Sequence, residues 1–475
     1  MPSAYILGLG KSGTAAAKLL KAKGWQVLAV DEGNSSSLRS RQEELAQDGI
    51  ATSLGQTFQA VLNNRNERDA RNDQAASFEP PDLVVVSPGI PWDNPALVVA
   101  REQGLAIIGE VELAWQSLQQ IPWVGITGTN GKTTTTALVA AIFQAAGYHA
   151  PACGNIGIPA CEIALQALQQ PDQAPDWIIA ELSSYQIESA CSISPKIGIW
   201  TTFTPDHLKR HHTIESYSSI KASLIHRSQQ IILNREDPYL AERGAALWPN
   251  AIWCATHATH GSNELESDHS GAIIKDNLVM FNGEPVMSLA KLRLIGDHNR
   301  QNLLMAVAAA RLAGIAPEVI EKAVAEFPGV SHRLEHIIDH RGISLINDSK
   351  ATNYDAAEVA LDAVDAPVVL IAGGDPKNGD ATAWLRKIKQ KAIAVLLIGV
   401  AAPKFAQLLD ENGYSGYEIV NHLDVAVPKA VALAIAHRAK AVLFSPACAS
   451  FDQYANFEQR GDHFRQLCHE LDLEI

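Results

Sequence analysis

The stretch Val124-Gly125-Ile126-Thr127-Gly128-Thr129-Asn130-Gly131-Lys132-Thr133 joins an apolar run to a glycine-rich loop and then to Lys and Thr. That order reads as a buried strand, a tight loop and a helix start. The first amides of a helix lack partners within it and the helix dipole is positive there, so the arrangement suits a phosphate. Gly128 and Gly131 let the backbone approach closely, Lys132 supplies a mobile point charge, and the Thr133 hydroxyl can ligate Mg2+. The spacing is not the standard one: counting back from Gly131, Ile126 stands where the first glycine of the usual phosphate loop belongs, and Gly125 comes one residue early. The loop is a compact variant, and a nucleoside triphosphate is expected on it.

Other chemistry-bearing residues fall after apolar runs. Glu181 ends such a run in Ala180-Glu181-Leu182-Ser183-Ser184. A carboxylate at the carboxyl end of a strand near a phosphate loop is placed to hold Mg2+, directly or through water. His207, in Asp206-His207-Leu208, follows the next strand and is a second metal ligand, a phosphate contact or a structural histidine. Lys221 lies on a helical stretch, and pattern alone makes it a surface lysine. The segment Gly296-Asp297-His298-Asn299-Arg300-Gln301-Asn302 caps a helix, its Asn amides either reading a base edge or ribose or serving only as caps. Gly8-Leu9-Gly10-Lys11-Ser12-Gly13 sits between a strand and a helix, with Asp31 ending the next strand. Read literally this pattern is a dinucleotide fingerprint; more generally it accepts a phosphate-bearing ligand. Ser87-Pro88-Gly89 marks another strand end. Arg333 is suited to clamping phosphates. Three polar or glycine-rich loops, Asn347–Asn353, Gly373–Lys377 and Ser445–Gln453, follow three later strands and resemble a binding rim.

Strands alternating with helices must position these groups. The chain reads as three α/β blocks with mostly parallel sheets: a Rossmann-like block over 1–110, a central phosphate-loop block over 111–329, and a second Rossmann-like block over 330–475. Residues 255–290 read as a small β excursion, and Asn63 to Pro81 as a polar insertion. With 475 residues, two to four domains are expected. Net charge is −14 and no Lys/Arg run occurs, which disfavours nucleic-acid and anionic-membrane partners. Six scattered cysteines without metal-type pairing fit a reducing, cytoplasmic compartment. No apolar run reaches membrane-spanning length, and the first strand begins without a basic leader.

Taken together, Gly154–Gly157, Glu181–Gln186, Asp206–Leu208, Asn347–Asn353, Ser445–Gln453 and Asn456–Gly461 resemble the Mur ligase family across essentially the whole chain. The last two groups resemble its D-glutamate-adding branch. The resemblance implies ATP and two Mg2+ as cofactors, and UDP-N-acetylmuramoyl-L-alanine and D-glutamate as small-molecule substrates. It also implies a monomer that makes an amide bond through an acyl phosphate. Carried over by position, Gly128, Thr129, Asn130, Gly131, Lys132, Thr133, Thr134, Asn299, Asn302, Arg333 and Asp348 would contact ATP. Thr133 and Glu181 would hold one Mg2+, and His207 with a carbamylated Lys221 the second. Lys11, Ser12, Asp31, Ser87, Pro88, Gly89, Asn155 and His207 would bind the UDP-substrate. Lys350, Thr352, Lys377, Ser450 and Phe457 would take D-glutamate. One departure is Gly33, where the family often has Arg, so uridine contacts are expected to differ there. Rival readings are another amide ligase of the superfamily such as a folate-extending one, an NAD-dependent dehydrogenase resting on Gly8–Gly13, and a nucleotide-driven switch.

Overall fold

The computed structural model describes residues 1–63, 81–257, 271–376 and 379–471. Most of the expected polar insertion, and Lys377, lie outside the described residues. Among the described residues the fold is mixed α/β with three sheets.

The first sheet holds β1 (Ser3–Leu7), β2 (Gln26–Asp31), β3 (Ala51–Leu54), β4 (Leu83–Val86) and β5 (Ala106–Gly109), all parallel, in the order β3-β2-β1-β4-β5. Strand order reverses between β1 and β4, so the loops leaving them, at Gly8 and Ser87, open a crevice of the kind that takes ligands in open α/β sheets.

The second sheet contains β6 (Trp123–Thr127), β7 (Ala152–Gly154), β8 (Ile178–Glu181), β9 (Ile197–Trp200), β10 (Gln230–Asn234), β11 (Ile252–Ala255), β12 (Gly271–Lys275), β13 (Leu278–Phe281) and β14 (Glu284–Ser288). Their order is β14-β13-β12-β11-β10-β9-β6-β8-β7. The strands β6, β8 and β9 are buried along their whole length, as continuous apolar runs require when helices cover both faces. The expected β excursion is an antiparallel meander, β12-β13-β14, that extends this sheet beyond β11. Because β6 lies between β8 and β9, the phosphate-type loop, Glu181 and the segment after Trp200 leave the sheet side by side.

The third sheet holds β15 (Glu335–His340), β16 (Ile343–Asn347), β17 (Val368–Gly373), β18 (Ala392–Ile398), β19 (Tyr417–Asn421) and β20 (Ala441–Phe444), in the order β15-β16-β20-β17-β18-β19, with β15 antiparallel. Strands β16, β20 and β17 are adjacent and parallel, which brings the three rim loops to one end of the sheet.

These sheets fall into two compact units, Met1–Leu292 with Gln301–Glu326, and Arg293–Arg300 with Phe327–Ile475. The first two sheets share a unit because one core runs through both. Ala16 and Leu20 of the helix Lys11–Ala22 belong to the same buried cluster as Cys161 and Ala164 of the helix Ala160–Gln169. At the junction Gly109 N donates to Ser189 O (2.8 Å), and Glu110 Oε1 accepts from Cys161 N (2.6 Å).

Candidate active site

The loop between β6 and the helix Lys132–Ala145 needs its glycines. Gly128 has φ 149° and Gly131 φ 81°. A Cβ on Gly128 would lie 2.0 Å from Thr201 Oγ1, and one on Gly131 2.6 Å from Asn302 Oδ1. The segment after β9 fastens the loop: Thr129 N donates to Thr202 O (2.8 Å) and Asn130 N to Thr202 Oγ1 (2.9 Å). Lys132 Nζ folds back onto the carbonyls of Gly128 (2.9 Å) and Thr129 (2.8 Å). Among the described residues no side chain caps the helix, and its first turn carries no acid, an arrangement that suits an anion at its positive end. Thr133 and Thr134 are buried in that turn. Asn302 accepts from Thr135 Oγ1 (3.2 Å), which seats it beside the loop.

Glu181 is buried at the end of β8. Its Oε1 accepts from Asn155 Nδ2 (2.8 Å), while Oε2 is buried without a hydrogen-bond partner among the described residues. A buried carboxylate oxygen left without a donor costs about 1–3 kcal/mol or more. A cation at Oε2 removes that cost, so this corner fits a divalent metal with hard oxygen preference.

Lys221 corrects the pattern-only expectation of a surface lysine: it is 1 % exposed. The helix Ile214–His226, capped by Thr213, turns Tyr217, Lys221, Leu224 and Ile225 inward. That spacing is one helical face, and an apolar stripe containing a lysine was the signal available in the sequence. Lys221 Nζ donates to Gly128 O (2.9 Å) and sits 4.7 Å above the Tyr217 ring. Burial pushes the amine well below its usual range and Lys132 acts in the same direction, against Asp206 and Glu181. That direction favours the unprotonated amine, as burial of a lysine does.

His207 is exposed, in the left-handed region (φ 54°), with its ring 5.1 Å from Tyr185. His211, which sequence reasoning passed over, is the buried histidine of the corner. Its Nε2 bonds Ser184 Oγ (2.9 Å) and its ring stacks on Tyr217. Burial pushes it down to about 4, and the Arg210 guanidinium acts in the same direction.

In the first sheet, the crevice is shaped by close contact. A Cβ on Gly13 would lie 1.9 Å from Gly8 O, and Ser87 Oγ donates to that same carbonyl (2.7 Å). Lys11 and Ser12 open a helix that no side chain caps. Ser87, Pro88 and Gly89 form a turn closed by Ile90 N donating to Ser87 O (3.0 Å). Asp31 receives the amides of Leu9 (2.8 Å) and Gly33 (2.9 Å), so its carboxylate ties the loop after β1 to the turn after β2.

In the second unit, Asp348 follows β16. It accepts from Ser445 Oγ (2.8 Å) and Leu334 N (3.2 Å), and burial pushes its carboxyl up to about 7 despite Arg333. Arg333 lies between two residues of positive φ, His332 and Leu334, and its Nε is buried without a partner among the described residues. Asn299 Nδ2 donates to Ile295 O (2.7 Å). Lys350 Nζ lies 5.6 Å over the Phe457 ring. Thr352 is half-buried and Ser450 buried. Their loops are joined by Arg460, a residue without an assigned role in the sequence reading. The buried guanidinium donates to Ser349 Oγ (3.0 Å), Ser349 O (2.7 Å), Cys448 O (3.1 Å) and Ala449 O (2.9 Å).

The chain is 56% identical, over 99% of its length and 99% of the relative's, to the UDP-N-acetylmuramoylalanine–D-glutamate ligase of Trichormus variabilis. It is 54% identical, over 99% of its length, to the enzyme of that name from Microcystis aeruginosa, of which the whole length is covered. The Mur ligase middle domain matches residues 126–310, and the Mur ligase glutamate ligase domain residues 332–448. This chain is a Mur ligase.

The same fold appears in the UDP-N-acetylmuramate–alanine ligase of Thermotoga maritima, with TM-score 0.60, 18% identity and 99% of each chain covered. It appears again in a pseudomurein peptide ligase from Methanothermus fervidus, at TM-score 0.56 and 18% identity, covering 99% of this chain and 100% of that one. The middle-domain match of this Mur ligase spans the phosphate-type loop, Glu181, His207 and Lys221. The C-terminal match reaches Cys448, so Ser450, Phe457 and Arg460 lie beyond it. Membership also gives the Gly8–Gly13 turn a ligase context, and with it the dehydrogenase and switch readings fall.

Proposed function

We propose that this Mur ligase joins D-glutamate to UDP-N-acetylmuramoyl-L-alanine at the expense of ATP, in the making of peptidoglycan precursors. The reading is carried by the 56% identity over nearly the full length of a ligase of that name. The γ-phosphoryl group passes to the substrate's L-alanyl carboxylate and ADP leaves. The D-glutamate amine attacks the acyl phosphate, an amide bond forms, the amine proton is lost and phosphate departs.

In the first unit, the amides from Gly128 to Thr134 and Lys132 hold the ATP phosphates, with Asn302 beside them. Thr133 and Glu181 would hold one Mg2+, and His207 with carbamylated Lys221 a second. When bound, Mg2+ neutralises charge on the phosphate oxygens. Glu181 has its free Oε2 for this role, while Asn155 orients the carboxylate and reaches toward the UDP-substrate. The crevice lined by Lys11, Ser12, Asp31 and Ser87 to Gly89 takes the uridine diphosphate. In the second unit, Asn299, Arg333 and Asp348 contact nucleotide. Lys350, Thr352, Ser450 and Phe457, together with Lys377, take D-glutamate; a pair of cations suits its two carboxylates. Because the phosphoryl and amide steps need few covalent helpers, positioning and charge neutralisation supply most of the rate. We assign functional domains to 1–110, 111–329 and 330–475, and place the enzyme in the cytoplasm as a monomer. No described helix is long and apolar enough to cross a membrane.

The test is phosphate release with ATP, UDP-N-acetylmuramoyl-L-alanine and a panel of amino acids. Release that depends on D-glutamate is expected. Release indifferent to D-glutamate, or driven by another amino acid, would overturn the assignment.

A further inference from the structure

The third sheet has a second ligand-sized feature, at the end opposite its rim loops. A cavity of about 770 Å³ opens where β16, β20 and β17 begin, within the 300–1,000 Å³ range of small-molecule sites. Its floor is apolar: Ile343, Ile346, Val364, Ala434 and Ala441 are buried. Two further isoleucines at its edge, Ile295 and Ile435, remain 37% and 42% exposed. Around the mouth stand Arg341, Arg438 and Lys440, against a single acid, Asp365. Among the described residues Asp365 pairs with Lys440 alone, at 3.8 Å between two exposed side chains. Arg341 and Arg438 have no ion-pair partner among the described residues. In a chain of net charge −14, three cations around one apolar floor are a local reversal of sign.

We infer that this cavity binds a small anionic amphiphile, a flat apolar body bearing one sulfonate, carboxylate or phosphate. The floor accepts the body, since apolar burial is the non-directional part of the affinity. The anionic group meets Arg438, Arg341 and Lys440 at the mouth, and guanidinium groups match such oxyanions with paired donors.

The cavity also has a mechanical link to Asn299. Ile295 forms one wall, and its carbonyl accepts the Asn299 side-chain amide (2.7 Å). The intervening Gly296 has φ 97° and packs on Ala363, another lining residue. A ligand pressing on Ile295 therefore bears on the residue assigned to nucleotide contact. This link rests on the reading under Proposed function; the existence of the site does not.

The probe is 8-anilinonaphthalene-1-sulfonate, titrated into the full-length protein by fluorescence. Saturable binding at one site is expected. Arg438→Glu should weaken it about ten-fold or more, the worth of one charge-assisted contact. Ile435→Glu, at an already exposed position, should weaken it too. The uncharged analogue N-phenyl-1-naphthylamine should bind at least about ten-fold more weakly than the sulfonate. Sulfonate binding that is absent, unchanged in both variants, or matched by the uncharged analogue would overturn the site. For the link, ADP affinity measured by calorimetry should change about five-fold or more with the probe bound, and probe affinity by the same factor with ADP. An unchanged ADP affinity beside intact probe binding would overturn the link alone. Failure of ADP to bind at all would count against the nucleotide assignment and leave the probe titration to decide the cavity.

Discussion

Lys221→Ala separates the two roles its position allows. The amine is enclosed, donates to Gly128 O at 2.9 Å, and is held well below its usual pKa by burial. As a structural cation it would support the loop by that bond; on its loss Gly128 O keeps the bond from Lys132 Nζ (2.9 Å), so the cost is that of one hydrogen bond, about 0.5–1.5 kcal/mol. Truncating the four-carbon stem adds a cavity cost of about 2–3 kcal/mol. Against these stands the relief of no longer enclosing an amine, so the net change in stability should stay within about 3 kcal/mol. As a carbamylated ligand, the side chain supplies anionic oxygens that matter when phosphoryl charge redistributes. Losing such a contact costs about 3–4 kcal/mol in the barrier, or about 10²–10³ in kcat. The assay is Mg2+-dependent phosphate release, run without additive and with formate, acetate or methylammonium diffusing into the vacated space. Carboxylates should recover at least about ten-fold of the lost rate, because they restore an anionic oxygen. Methylammonium should restore nothing. Rescue by methylammonium but not by carboxylates would show that Lys221 acts as a cation on the loop. Undiminished kcat in the variant would refute both roles.

Two further outcomes follow from buried charged groups. Burial raises the Glu110 carboxyl to about 7. Between the unfolded value near 4.5 and that folded value, the folded state binds more protons, so stability falls as pH rises through this window, by about 3 kcal/mol in all. In Glu110→Gln this component should vanish. A wild-type-minus-variant stability difference that is flat between pH 4.5 and 7 in urea titrations would show that Glu110 is not held protonated. Arg460→Lys keeps the charge but cannot span Ser349, Cys448 and Ala449 at once. It should cost about 2–4 kcal/mol of stability and raise KM for the amino acid several-fold more than KM for ATP. Equal changes in the two KM values would make Arg460 a general structural residue.

Chemistry carried by local backbone was legible early. Gly128 and Gly131 can be read as required because a strand, loop and helix start follow one another within ten residues. The structure supplies the same reason in steric form, with side-chain oxygens 2.0 and 2.6 Å from where a Cβ would stand. Strands buried on both faces, such as β6, β8, β9 and β17, announced themselves as continuous apolar runs. Strands β15 and β19 did not: both lie at sheet edges with several exposed residues, so neither alternation nor an apolar run survives. The polarity of Ala51–Leu54, half-buried throughout, hid β3 for the same reason.

Sequence by itself determined where an anion can meet a helix start, which strand ends carry carboxylate, histidine or polar loops, and which family those motifs resemble. Each depends on neighbours within a few residues, so the chain displays it in order. Tertiary structure alone decided the state of groups whose partners are distant in sequence. Lys221 is a buried, weakened base because its helix faces a loop 93 residues earlier. Glu181 keeps one oxygen free because Asn155 takes the other. Asp31 braces a turn 22 residues before it. Arg460 ties together two loops that only adjacent strands bring near. Burial and hydrogen-bond satisfaction are properties of the assembled neighbourhood, and no spacing along the chain encodes them.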